Sequence, residues 1–266
     1  MADALTTYAL CWRIERRDGV AIGLTDHDRD LIVDGARYRA APGITPSAIK
    51  RADGFEADLM DVSGALTSAA LAEADLLDGR WDGARVRILA YDWAEGGAPL
   101  PLGEGVLGAI ETQDGGFTAE LRGGAALLDR AVVEATSPAC RARLGDARCR
   151  VPMAGRRRFA RMIAADETLL TLDRAEPSAN AYGAGLLRWF GGANAGLESA
   201  VAASDGARVT LRLPPRHVPT PGVLVELIEG CDKRFETCRD RFANALNFRG
   251  EPHLPGIDLL TRYPGA

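Results

Sequence analysis

Five cysteines stand at positions 11, 140, 149, 231 and 238. Four of them form two pairs, Cys140-x8-Cys149 and Cys231-x6-Cys238, with about 80 residues between the pairs. Pairs held in turns suit a four-thiolate metal site, because each pair orients two ligands locally and tertiary packing unites the halves. Two disulfides or unrelated buried thiols are the plainer readings. The first suits an oxidising compartment, and the second leaves the polar, arginine-containing setting of both pairs unexplained. The arithmetic therefore favours one metal centre built by Cys140, Cys149, Cys231 and Cys238. Its charge does not choose the metal, since Zn²⁺ and a [4Fe-4S]²⁺ core each return the same positive charge to four thiolates. Structural zinc uses hooks of about two to four intervening residues, so the wider spacings lean toward an iron-sulfur cluster, with zinc as the alternative. Cys11 lies in an apolar strand pattern and reads as a small hydrophobe.

Other clusters carry less chemistry. Asp26-His27-Asp28-Arg29-Asp30 could hold a hard metal, but reads better as a solvated turn whose carboxylates bond nearby amides. His217 and His253 sit in Pro-rich loops with no nucleophile or carboxylate at catalytic spacing. The run from Gly191 to Gly196 lacks the Gly-Lys-Ser/Thr element of a phosphate loop and reads as a turn. Arg156, Arg157, Arg158 and Arg161 are the best nucleic-acid candidate. They have no interleaved aromatic platform, so a solvated face, an intersubunit ion-pair patch or compensation of the cluster charge is the expected role.

The elements that must position these residues are mainly strands. Alternation of Tyr8, Leu10, Trp12 and Ile14 runs into Arg17-Asp18-Gly19 and resumes at Val20, Ile22 and Leu24, which predicts a hairpin over residues 8–25. Further strands are expected at 31–33, 37–40, 56–62, 84–91, 105–111 and 117–122, then at 169–172, 186–190, 207–213 and 223–228. Thr67 caps an expected helix at 68–77 ended by Asp78-Gly79, and a second helical piece is expected at 125–134. Short strands with frequent turns predict sandwich or barrel architecture. The expected divisions are a β-rich domain at 1–136, a second β-rich domain with the cysteines at 137–256, and an exposed tail at 257–266.

The 266 residues carry a net charge of −5, unevenly placed. Residues 1–136 hold 13 basic and 23 acidic side chains, residues 137–266 hold 19 and 14. Eight arginines and a single acid, Asp146, fall between Pro138 and Arg161. No run of about 18 apolar residues is present to span a bilayer, and the first residues lack the basic and apolar regions of a secretory signal. Synthesis in a reducing cytoplasm, without membrane insertion, is the expectation.

The segment Gly230-Cys-Asp-Lys-Arg-Phe-Glu-Thr-Cys238, followed by Arg241-Phe-Ala-Asn-Ala-Leu-Asn-Phe-Arg-Gly-Glu-Pro-His-Leu-Pro-Gly256, resembles the C-terminal signature of the tail hub, or baseplate hub, proteins of siphophages and gene transfer agents. Residues 140–149 fit the same family, and Gly23-Leu-Thr-Asp-His-Asp-Arg-Asp-Leu31 is similar to its amino-terminal part. The resemblance implies two tail-tube-like β-barrel domains and a [4Fe-4S] cluster on Cys140, Cys149, Cys231 and Cys238. It implies a homotrimer between the distal tail protein ring and a large tail-tip or fibre protein, with DNA passing through the lumen without specific binding. The role would be structural, at the tail tip, and not enzymatic. The rival readings are an iron-sulfur redox protein and a metal-stabilised nucleic-acid-binding module.

Overall fold

The computed structural model describes residues 7–40, 45–46, 59–65, 72–113, 116–123 and 133–253. The chain forms two compact units, Met1–Val132 and Val133–Ala266. The expected helix at 125–134 lies almost wholly outside the described residues, and the expected tail at 257–266 lies entirely outside them.

The first unit is built on a nine-stranded sheet in the order β3-β4-β2-β1-β7-β8-β9-β6-β5. Its strands are β1 Tyr8–Glu15, β2 Ala21–Thr25, β3 Leu31–Val33, β4 Ala36–Ala40, β5 Thr45–Pro46, β6 Leu59–Ala65, β7 Arg85–Asp92, β8 Leu100–Gln113 and β9 Gly116–Arg122. The predicted hairpin is present, with Trp12 opposite Leu24 and Ile14 opposite Ile22. Gly19, at φ 89°, closes its turn. β1 lies between β2 and β7, so both of its edges are paired. Trp12 and Ile14 join Trp81, Val86, Ile88 and Leu107 on one side, while Cys11 packs with Val33 and Tyr38 on the other. Residues 68–71 of the expected helix at 68–77 lie outside the described residues; α1, Glu73–Leu77, follows an extended Ala72 and buries Leu76. Strand patterning was sufficient to expect β structure here, but not to expect closure. The end strands β3 and β5 are not paired with each other among the described residues, so the described part of this unit is a sheet, where a barrel or sandwich was expected.

The second unit is a closed six-stranded barrel, β10-β11-β14-β13-β12-β15. The strands are β10 Arg157–Asp166, β11 Leu169–Leu172, β12 Leu186–Trp189, β13 Glu198–Asp205, β14 Arg208–Leu211 and β15 Leu224–Ile228. Met162, Leu170, Leu187, Trp189, Val201, Val209, Val225 and Leu227 fill its interior. Two bulges make the corners. β10 pairs first with β15 and, from Met162 onward and across an irregularity between Met162 and Ala164, with β11. β13 passes likewise from β12 to β14, which it joins from Val201 across an irregularity between Val201 and Ala203. An extra residue bends a strand and sharpens its twist, which lets a small sheet close on itself.

Candidate metal centre

Two segments at one end of the second unit carry the paired cysteines. In the first, Asp146 organises the turn. Its carboxylate accepts the N–H groups of Cys149 at 2.7 Å and of Arg143 and Arg148 at 2.9 Å each. Those bonds, led by the one from Cys149, hold the Asp146 carboxyl below its ordinary range. Gly145 supplies φ 79° beside Asp146, a conformation that costs glycine little.

The second segment begins where β15 leaves the barrel. A Cβ on Gly230 would stand 2.0 Å from the Gly183 oxygen and 2.2 Å from the Gly185 nitrogen, so only glycine admits this approach of backbones. Asp232 then accepts the Arg234 N–H at 3.0 Å and the Thr237 hydroxyl at 2.9 Å. Lys233 takes φ 68°, and α2, Phe235–Asp240, places Cys238 inward.

Polar contacts tie these segments together. The Cys140 N–H donates to the Lys233 oxygen at 2.9 Å, and the Lys233 ammonium returns a bond to the Ala142 oxygen at 2.5 Å. Asn244 donates from Nδ2 to the Cys149 oxygen at 2.6 Å and approaches the Cys149 sulfur at 3.8 Å. Its own carbonyl lies 3.4 Å from the Cys238 sulfur. The Arg249 N–H donates to the Cys140 sulfur at 3.4 Å, and the Lys233 N–H bonds the Cys231 sulfur. Ala142, Cys149 and Val151, with Cys140, Leu144 and Phe242 against them, form the small apolar core of this end.

The electrostatics record the proximity of the four thiols. Burial pushes Cys238 up, and the charges of Cys140, Cys231 and Cys149 push it further. Cys231 is also raised, by burial first and in part by Cys140, against the opposing pull of the Lys233 N–H and ammonium. All five cysteines are free. Cys11, far in sequence and in the other unit, is buried and raised by desolvation, as a core thiol should be. No group of three or more His, Cys, Asp or Glu side chains among the described residues is arranged to hold a metal ion. The contacts above bring together the two segments that carry the four expected ligands, and among the described residues no coordination shell is formed.

The arginines do something more specific than answer a cluster charge. Arg141 makes two 2.7 Å bonds to the Glu251 carboxylate and one of 3.0 Å to Glu134, and Arg148 also binds Glu134. Glu251 accepts the Ser137 N–H as well. With Arg141 as the larger cause, its carboxyl falls from 4.5 to about 2. Buried Glu229 pairs with Arg156 at 2.6 Å and with Arg241 at 3.1 Å. Each guanidinium group also lies over the ring of Phe242, 4.9 Å from its centroid. These two ion pairs on one buried carboxylate link the barrel to the cysteine-bearing end.

The remaining sequence candidates are structural. Asp26 accepts the Leu10 N–H at 2.8 Å, and Asp30 accepts the Ala40 N–H at 2.9 Å and pairs with Arg37, so the Asp-rich run is a turn. His27 rests against Trp93, and His253 against Phe235. His217 exchanges two backbone bonds with the side chain of buried Asn194, at 2.7 and 3.0 Å. The glycines at 191, 192 and 196 form the turn between β12 and β13. Sequence reasoning missed the supporting set Lys233, Asn244, Arg249 and Glu251. Their only sequence signal was membership of the conspicuous run after Cys231.

A family model described as baseplate hub protein, N-terminal attachment domain, matches residues 1–152. A second, described as phage conserved hypothetical protein BR0599, matches residues 180–258, which include Cys231 and Cys238. Among solved structures, a chain of "Virion of native gene transfer agent (GTA) particle" is 38% identical with a TM-score of 0.83. The match covers 98% of this chain and 92% of that one. No curated protein matches.

Proposed function

The chain belongs to the baseplate hub protein family, and on that premise we propose the working of its two units as a tail-tip hub. It is a structural protein of a virion-type tail, and 38% identity over 98% of its length to a gene transfer agent virion chain is the observation that carries this. We read the first unit, within the attachment-domain match, as the part that docks on the distal tail protein ring. The second faces the tip or fibre protein, and three copies line the channel through which DNA leaves. No helix among the described residues is long and apolar enough to cross a membrane. Cells producing the particle without this chain are expected to yield tail tubes lacking tips. Complete, functional tips in its absence would overturn the reading.

Within the second unit, Cys140, Cys149, Cys231 and Cys238 are proposed to hold one [4Fe-4S] cluster. The donor set supports this: burial first, and then the neighbouring thiols, make Cys231 and Cys238 harder to ionise, and a cationic core would offset that cost. N–H groups of Lys233 and Arg249 already meet two of the sulfurs, a contact typical of iron-sulfur ligation. A single zinc ion would draw four sulfurs to about 2.3 Å from one point, whereas a cubane gives each cysteine its own iron and accepts ligands as widely spaced in sequence as these. Bound there, the cluster would supply four covalent tethers joining residues near 140 to residues near 235, in an end of the unit with little apolar core. Its role is architectural. Purified chain is expected to be brown, with about four iron and four sulfide per molecule, and Cys149→Ser or Cys238→Ser to lose both. One zinc per chain with no labile sulfide would contradict the cluster and leave the hub role standing.

A further inference from the structure

The first half of β10 leaves one edge of the barrel unpaired. Residues 157–161 pair with β15 on one side, while β11 joins only from Met162 onward. The hydrogen bonds show which way each residue faces. Met162 donates to the Val223 oxygen at 2.9 Å and accepts from the Gly222 N–H at 2.7 Å, and the Arg156 oxygen accepts from Glu229 at 3.0 Å. Alternation along an antiparallel strand then turns the N–H and C=O of Arg157, Phe159 and Arg161 away from β15. Arg161 is satisfied there by Asp173, giving its N–H to the carboxylate at 2.8 Å and accepting the Asp173 N–H at 2.9 Å. Among the described residues, no strand pairs with Arg157 or Phe159 on that side.

A cleft of about 390 Å³ opens along this edge, lined by Arg157, Arg158, Phe159, Arg161, Arg174 and Tyr182. Its charge is unbalanced. Among the described residues Arg157, Arg158 and Arg174 make no ion pair, in contrast to Arg141, Arg148, Arg156, Arg188 and Arg241. Asp173 is committed to the Arg161 backbone. Beside the cleft Phe159 and Phe190 form an edge-to-face pair at 5.5 Å, 49% and 54% exposed, although the barrel interior is already filled. Exposed strand edges are ordinarily covered or paired. Arginine and aromatic side chains are also what protein interfaces concentrate.

We propose that this edge is a strand-addition site for an extended, acidic segment of a neighbouring tail protein. The segment's backbone would pair with Arg157 and Phe159, its carboxylates would meet Arg157, Arg158 and Arg174, and apolar residues between them would rest on Phe159 and Phe190. A phosphodiester strand fits less well, because phosphates only accept and would leave the carbonyls of Arg157 and Phe159 without donors. The hub reading enters only as the source of the segment; the edge and its charge stand without it.

The test uses the full chain and a fluorescent decapeptide of alternating Glu and Val. Saturable binding is expected, weakened about tenfold or more by the triple change Arg157→Glu, Arg158→Glu, Arg174→Glu. Phe159→Pro should weaken it more than Phe159→Ala, since proline removes an N–H facing the cleft and spares the ladder to β15. Thermal melting near that of the parent chain checks the fold of each variant. No saturable binding, or equal effects of Phe159→Pro and Phe159→Ala, would overturn strand addition. So would single-stranded DNA binding where the peptide does not, or self-association abolished by the triple change, which would make the occupant a second copy. The hub reading fails on a separate result, absence of the chain from tail tips, whatever the peptide does.

Discussion

Glu251 is the residue whose chemistry is most exposed to measurement. It lies 110 positions from Arg141, and their paired 2.7 Å bonds hold the chain after Phe248 against the entry to the first cysteine segment. A carboxyl whose folded pKa lies below its unfolded value contributes stability that is complete above the unfolded value and is lost as pH falls toward the folded one. For Glu251 that window runs from 4.5 down to about 2. Since the Ser137 N–H donates to this carboxylate, its amide shift is expected to hold as pH falls through 4.5 and to move only toward about 2. In Glu251→Gln that acid step should vanish. A midpoint at 4.5 in the parent chain would show that the Arg141 bond does not form. The four cysteines were legible from type and spacing alone. The groups that support them were not, because an asparagine or an arginine in a loop has no period to reveal it. Asn244 becomes meaningful only when folding brings it to Cys149, and Lys233 only when its φ of 68° is known.

At the scale of elements, the junction between β15 and α2 decides where Cys231 sits. Gly230→Ala would drive a methyl group to 2.0 Å from backbone on the neighbouring turn. Neither side can yield as a flexible side chain would, and a loss of about 3 kcal/mol or more is expected in denaturant unfolding of the second unit. An unchanged midpoint would mean the turn at Gly183 and Gly185 adjusts freely. The sequence strands at 169–172, 186–190 and 223–228 correspond to β11, β12 and β15 because their apolar residues alternate. β10 and β13 escaped notice for opposite reasons. β10 presents Arg157, Phe159 and Arg161 outward and only Ala160 and Met162 inward, so its arginines read as a charged patch. β13, Glu-Ser-Ala-Val-Ala-Ala-Ser-Asp, is made of small residues, and its bulge breaks the alternation at Val201. In both, tertiary pairing overrides weak local propensity.

Across the whole molecule, the charge asymmetry seen in the sequence acquires a place. Much of the positive charge of the second half is consumed internally: Arg141, Arg148, Arg156 and Arg241 bind Glu134, Glu251 and Glu229. Of the rest, Arg157, Arg158, Arg161 and Arg174 line the cleft at the β10 edge. The closure of the second unit's barrel could not be read from strand counts, since it depends on whether end strands meet. The family itself was legible in the run from Gly230 to Gly256, and the match to a virion chain extends it over nearly the entire length. The most direct measurement is cryo-electron microscopy of the native particle with this chain labelled. The hub account predicts the label at the tail tip, between the distal ring and the tip or fibre protein, in three copies. Label in the capsid or along the tube shaft, with a tip that lacks it, would contradict the account.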